Sequence, residues 1–422
     1  MFTMKKTDAF ALLYRTKVAH SNYSPHSKTI TFKEKKLSKA VLFVSNGYGE
    51  DSIALSILRE IKSQAPDVHV YALPIVGNGG SYETEDCEIL GPRTAMPSGG
   101  VIPGNFGNLK KDLSSGLIKL TLAQIGIIKK YSKLSFASVS IGDIYPAILL
   151  SLFAKNSRVM IATAKSNYVS PHNKFEEFIM KTFFKKVFLR DDPTAEHLKK
   201  HGVSNAFYVG NAMMDCLEPE GIDFKVNKEN LFAVLPGSRK SAFLDMPVIA
   251  DAISIISDKI KDSSFVAVVP KSIDLNELVK VCSDDWQFED EKDDFCVGKM
   301  ANKKNGAVVK FYNRGMADLL RSCKIVIGQA GTANEQATGL GKPVVAFDSF
   351  SDDKMGWYRK RQKCLLGEAV SVVKKNPSEI SDMILKILND SELYKKMADE
   401  GKNRLGLSGG AKKMAEAILS LK

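Results

Sequence analysis

A two-domain α/β protein built on open, doubly wound parallel sheets is predicted by three features of the sequence. At 422 residues the chain is too long for one ordinary core and suits two domains of roughly 150 to 200 residues each. A strand, glycine turn, helix and second strand follow one another from Cys323 to Phe347. A further strand, turn and helix opens the chain's first well-patterned stretch, from Lys39 to Gln64. Strand runs that alternate with helical stretches in this way give parallel sheets covered by helices.

The stretch around residue 330 is the most informative. Cys323–Ile327 and Pro343–Phe347 are short runs rich in β-branched residues, and Thr332–Leu340 holds helix formers behind a capping hydroxyl. Gly328 and Gly331 let the backbone turn sharply and come close to a ligand. The helix that starts near Thr332 aims its free N–H groups and positive dipole end at the same spot. The turn of Gln329, Ala330, Gly331 and Thr332 therefore suits an anion, a diphosphate above all, although a glycine turn alone also serves plain packing.

Charge and cysteine usage bound the function class. The net charge is +12, and residues 1–39 hold nine basic residues against Asp8 and Glu34, a surplus of seven. Residues 1–38 are thus expected to be a basic, flexible arm that suits either an anionic surface or plain solvation. No nucleic-acid motif accompanies it, so no nucleic-acid partner is expected. The arm has no apolar core of signal-peptide length, and the longest apolar run, Tyr145–Ala154, is too short to span a bilayer. Six cysteines without close pairing or metal spacing suit a reducing, cytoplasmic compartment. His197 and His201 stand four apart in a predicted helix, but Leu198, Lys199 and Lys200 between them lack the Glu of a zinc hydrolase. Spacing alone is weak evidence of a metal, so no metal and no cofactor are expected.

In chain order, Lys39–Ser45 is a buried strand, Asn46–Asp51 a glycine-containing turn, and Ser52–Gln64 an amphipathic helix. Glu50 and Asp51 repel an anion at this helix start and suit a sugar hydroxyl or a general base, while acids there are equally common as caps. Val68–Leu73 is the next strand. The Gly- and Pro-rich loop from Val76 to Asn108 is long enough to be functional. Leu109–Lys133 is helical, with Leu113, Leu117, Leu120, Ile127 and Ile128 on one side and Lys110, Lys111, Lys119, Lys129 and Lys130 near its ends. That pattern fits a core helix with snorkelling ends first and an anionic membrane second. Strands Phe136–Gly142 and Val159–Ala164 end at Asp143 and Lys165, beyond the carboxyl ends of strands where ligands of open α/β sheets lie; either side chain also suits a structural cap. Val187–Asp191 and Phe207–Asn211 complete a first domain over 39–215, and the polar stretch 216–229 reads as a linker. A second domain covers 230–405 and a closing helix 406–422. Within it, Asp284–Asn305 reads as an acidic surface excursion. The tail holds helices at Ser381–Asn389 and Lys412–Leu421 around a glycine-rich Gly401–Gly410.

The segment Gly331–Pro343 resembles the donor-binding segment of GT-B glycosyltransferases and of the related UDP-N-acetylglucosamine 2-epimerases. The resemblance implies two Rossmann-like domains with a cleft between them and a C-terminal helix that crosses back to the first domain. It also implies that the turn holds a nucleotide diphosphate and that an acid five residues before Gly341 of Gly341-Lys342-Pro343 holds the ribose. Gln336 stands at that position; it can exchange hydrogen bonds with a hydroxyl but is uncharged, and Glu335 would sit about 100° round the helix.

A strand followed by Pro236-Gly237-Ser238-Arg239, together with Val209–Asp215 and Leu319–Cys323, resembles lipid-A-disaccharide synthase. Gly237 permits close approach, Ser238 offers a hydroxyl, and Arg239 offers a fork of donors for a diphosphate leaving group; an Arg paired with a nearby acid is the alternative. The synthases carry two acids near the strand equivalent to Ser138–Gly142, where this chain has Asp143 alone. The resemblance implies a metal-independent, inverting transfer from a UDP-sugar to a lipid or acylated-sugar acceptor, with Asp143, Asp51 or Glu50 as base, at the cytoplasmic face of an anionic membrane. A 2-epimerase and a non-catalytic GT-B binder of nucleotide sugar or lipid are the alternatives.

Overall fold

The computed structural model describes residues 39–47, 49–93, 117–237, 241–291, 295–348 and 353–422. The basic arm, most of the second half of the Gly- and Pro-rich loop, Lys110, Lys111, Leu113, Ser238 and Arg239 lie outside the described residues.

The first sheet is built from β1 (Ala40–Ser45), β2 (His69–Pro74), β3 (Glu88–Ile89), β4 (Ala137–Gly142), β5 (Ser157–Ala162), β6 (Lys186–Leu189) and β7 (Ala206–Phe207). Their order is β3-β2-β1-β4-β5-β6-β7, and every pairing is parallel. β1 and β4 are buried along their whole length, as expected for strands covered on both faces. The covering helices are α1 (Gly49–Gln64), α2 (Leu117–Tyr131), α3 (Ile144–Phe153), α4 (Lys174–Phe183) and α5 (Asp192–Lys200). In α2 Leu120, Gln124 and Ile128 face the core while Ile118 and Leu122 are exposed, so the helix is half core and half surface.

After a short α6 (Ala212–Asp215), the second sheet takes the order β10-β11-β12-β9-β8-β13-β14-β15. Its strands are β8 (Asn230–Leu235), β9 (Ser263–Val268), β10 (Trp286–Glu289), β11 (Cys296–Asn302), β12 (Val308–Tyr312), β13 (Ile325–Gly328), β14 (Val344–Phe347) and β15 (Val370–Val373). All pairings are parallel except β10 with β11 and β11 with β12. The acidic excursion is thus an antiparallel extension of the sheet. Alternation explains it, because Trp286 is buried while Gln287 and Glu289 point to solvent. The helices here are α7 (Ser241–Lys259), α8 (Leu275–Lys280), α9 (Met316–Ser322), α10 (Thr332–Gly339) and α11 (Asp353–Leu366).

The tail corrects another expectation. Three helices stand there, α12 (Pro377–Asn389), α13 (Ser391–Leu405) and α14 (Gly410–Leu419), so Gly401 lies inside a helix and not in a glycine loop. A side chain at Gly401 would collide with the Thr338 carbonyl of α10; the glycine serves helix packing. α14 crosses back onto α1, with the Asp215 carboxylate accepting from the Gly409 and Ala411 N–H groups. Residues 38–422 form one compact unit. One apolar cluster explains this, since it joins Ile57 and Ile61 of α1, Met213 and Leu217, Leu405, and Met414 and Ile418 of α14 to the inner faces of both sheets. Among the described residues no helix is long and apolar enough to cross a membrane.

Candidate functional site

Each sheet has one place where the chain reverses its direction of winding, between β1 and β4 in the first and between β8 and β13 in the second. Ligands of open α/β sheets bind at such points, beyond the strands' carboxyl ends. A cleft of about 580 Å³ lies there, lined by both halves. Glu50 and Thr163 contribute from the first half, Thr332, Glu335 and Gln336 from the second.

On the first side, Glu50 begins α1 and faces the cleft. Burial pushes its carboxyl above the usual range, and the charges of Asp143 and Asp51 push it further. Gly142 makes this crowding feasible: it has φ +130°, and a Cβ there would press on Asn46 and the Glu50 side chain. Asp143 caps α3, accepting from the Tyr145 N–H at 2.8 Å. Asp51 turns inward. It is buried, accepts from the Ser45 hydroxyl at 2.6 Å, and that hydroxyl accepts from Tyr82 at 2.9 Å. Of the three acids, only Glu50 lines the cleft. Lys165 also turns away, onto Glu176 at 2.8 Å, which His172 contacts at 2.9 Å. Burial alone would raise the Glu176 carboxyl, but the bonds from His172 and Lys165 override it and hold it at about 2.

On the second side, α10 starts at Gly331 with no side-chain cap, so its leading N–H groups remain available to an anion. A Cβ at Gly331 would overlap the Tyr358 hydroxyl; close approach to the turn is therefore real, and Tyr358 makes it. Gln329 does not face the cleft. It is buried, and its amide exchanges bonds with the Phe347 backbone at 3.0 and 3.3 Å, tying β13 to β14. The Ala330 carbonyl accepts from Gln362 at 3.2 Å. Gly237 follows β8 with φ +100° and lies near the Gln329 carbonyl. Glu335, a candidate for the nucleotide sugar about 100° round the helix from Gln336, lines the cleft and accepts from Arg190 at 2.8 Å. Gln336 lines it too, donating to the Met213 carbonyl at 3.1 Å.

Two cations escaped the sequence reading. Arg190, just past β6, bridges the halves: one guanidinium nitrogen holds the Thr163 carbonyl at 3.1 Å and another holds Glu335. Both partners of that ion pair are mostly buried, and both also line a smaller cavity of about 180 Å³ beside Tyr358 and Gln362. Arg359 of α11 lies behind the anion turn, only 1 % exposed. It donates to Gln362 at 2.6 Å and to the Ala330 carbonyl at 3.4 Å, while among the described residues its Nε and Nη2 have no hydrogen-bond partner. Burial lowers its pKa. No apolar periodicity announces it; the one available signal is a pair of polar residues, Arg359 and Gln362, three apart on one helix face.

No protein-family model and no curated protein matches the sequence. Solved structures do match. CalG4, the calicheamicin glycosyltransferase, aligns at 12 % identity with TM-score 0.60 over 91 % of this chain and 98 % of that one. The UDP-N-acetylglucosamine 2-epimerase of Neisseria meningitidis, solved with UDP-GlcNAc bound, aligns at 13 % identity with TM-score 0.54 over 90 % and 100 %. MurG of Acinetobacter baumannii aligns at 11 % with TM-score 0.50 over 90 % and 99 %. Identities this low speak for architecture alone: the chain has the GT-B fold, two α/β sheets facing one cleft, that these glycosyltransferases and 2-epimerases share.

Proposed function

We propose that the chain is a glycosyltransferase that moves a sugar from a UDP-sugar to an amphiphilic acceptor, a lipid or acylated sugar, with inversion and without a metal. One observation carries the reading. A carboxyl with raised proton affinity, Glu50, and an uncapped helix N-terminus, α10, line the same cleft. In this reading residues 230–405 hold the donor and residues 39–215 receive the acceptor. Backbone N–H groups at Gly331 and Thr332, with Arg239 of the Pro236-Gly237-Ser238-Arg239 sequence, hold the diphosphate and stabilise the charge that grows on it as the glycosidic bond breaks. The buried Arg359 adds positive potential behind the same turn at low local dielectric. Glu50 takes the proton of the attacking acceptor hydroxyl, and its raised proton affinity suits a base that must accept a proton and later release it. Asp143 keeps that affinity high through its own charge. Asp51, buried on Ser45, orders the start of α1.

The amphiphilic acceptor is supported by the outer face of the first half. Ile118 and Leu122 of α2, Leu152 of α3, and Phe175 and Phe178 of α4 are all more than half exposed on helices that pack side by side. Lys119, Lys129, Lys130, Lys174 and Lys181 stand on the same helices and are exposed. Apolar side chains among lysines fit an anionic bilayer surface, at about 1 kcal/mol per lysine near it. Resemblance to lipid-A-disaccharide synthase over Pro236–Arg239 points to the same acceptor class.

The test is a product assay. The protein with UDP-GlcNAc and acylated-sugar acceptors in excess chelator is expected to release UDP only when acceptor is present. Turnover restored only by magnesium or manganese would remove the metal-free mechanism. The second reading, 2-epimerisation, is favoured by the likeness to the Neisseria epimerase. Deuterated water separates the two, because epimerisation at C2 breaks a C–H bond there and transfer leaves it intact.

A further inference from the structure

The histidine pair that spacing alone left without a role gains a third partner in the folded chain. His197 lies on α5 and His201 is that helix's C-terminal cap, so the two share one helix face. Their rings stand 4.1 Å apart at 53°. Glu177, in the first turn of the neighbouring α4, brings a carboxylate oxygen to 2.8 Å from His201 Nδ1. One donor atom from each of the three lies within 4.8 Å of the other two. We propose that Glu177, His197 and His201 form a site for one divalent first-row transition metal, zinc foremost, which staples α4 to the end of α5.

The donor set selects the ion. Two imidazoles and one carboxylate suit zinc and its neighbours, whereas calcium and magnesium take oxygen ligands. Around tetrahedral zinc, with bonds near 2.0–2.1 Å, ligand atoms sit about 3.3 Å apart. His201 and Glu177 must therefore open by about half an ångström from their hydrogen-bonded distance, and His197 must swing inward, both within side-chain rotation. The carbonyl end of α5 favours a cation at this position. Lys199 does not compete for Glu177, since it pairs with Glu196 at 2.8 Å; Lys181, near Gly202, and Lys200, next to His201, are opposing charges on the same two helices. His201 is exposed, so the ion enters from solvent, and three protein ligands leave room for a water. None of the three residues lines the cleft. The ion is structural, and metal-free sugar transfer is compatible with it.

Metal-free full-length protein is titrated with zinc by calorimetry and with cobalt(II) by visible absorption, and its Tm is followed with and without zinc. One equivalent is expected to bind, with a rise in Tm and the intense cobalt bands of four-coordinate geometry. The His197 imidazole makes no hydrogen bond among the described residues, so His197→Ala leaves the Glu177–His201 hydrogen bond in place. That variant is expected to keep the metal-free Tm, to bind zinc at least about tenfold more weakly, and to lose the cobalt bands. Glu177→Gln is expected to weaken zinc similarly. Wild-type zinc binding in His197→Ala would overturn the proposal by assigning the metal to other histidines or cysteines. Absence of saturable binding in the wild type would overturn it by leaving a hydrogen-bonded His–Glu contact alone.

Discussion

The two winding-reversal points are alike in topology and opposite in chemistry. Between β1 and β4 the chain gathers carboxylates, Glu50, Asp51 and Asp143; burial and the charges of Asp143 and Asp51 raise the proton affinity of Glu50, and Arg190 lowers it. Between β8 and β13 it offers backbone N–H groups and a buried guanidinium, and two acids of this half are held by cations: Glu335 by Arg190 and Asp245 by Lys375 at 2.9 Å. A helix N-terminus crowded by carboxylates repels phosphate, and one backed by a buried cation attracts it. On the proposed reading, the same fold element serves as a proton site in one half and an anion site in the other. What differs is a few polar residues at the strand ends.

The largest expected effect tests the first point. Glu50→Gln should lower sugar transfer by about 10²- to 10⁴-fold with UDP affinity unchanged, and should raise Tm at neutral pH because a desolvated charge is removed. Undiminished turnover in that variant would move the base elsewhere. Next comes the second point. Arg359→Met fills the same buried space without charge; it should leave Tm unchanged or higher while weakening UDP binding by about 1.5 to 3 kcal/mol. If UDP stabilises the variant as well as the wild type, the guanidinium is only packing. Smaller is the contact between the halves, where a double-mutant cycle of Arg190→Gln and Glu335→Gln should show about 1 kcal/mol of coupling in unfolding. A cycle that closes at zero would mean the pair does not join them. The smallest effect is in the pH profile. Glu50's proton affinity is raised by burial first and by Asp143 next, so Asp143→Asn should lower it and move the acid limb of transfer down by less than about one pH unit. A shift upward would contradict that electrostatic role.

Much of the fold was legible because it rests on local pattern. β1, β8 and β13 are apolar runs, each followed by glycine in the sequence, and the β13 turn and the helix at Thr332 stand where the residues place them. The elements that were misread are those whose pattern is overruled by a neighbour. Gly401 reads as a breaker until α10 lies against it, and the acidic run near 286 reads as solvent until β11 pairs with it.

At the site, sequence by itself determined which residue types gather at the strand ends, because turn glycines and helix starts are encoded within a few residues of each other. It did not determine where their side chains point. Asp51 and Glu50 are adjacent, yet helix geometry sends one to Ser45 and the other to the cleft. Gln329 belongs to the anion turn in sequence and to the strand pairing in space. Arg190, Arg359 and the meeting of Glu177 with His197 and His201 depend on elements far apart in the chain. Those contacts arise only when sheets and helices pack, because desolvation and ion pairing act through space and leave no periodic trace in the residues.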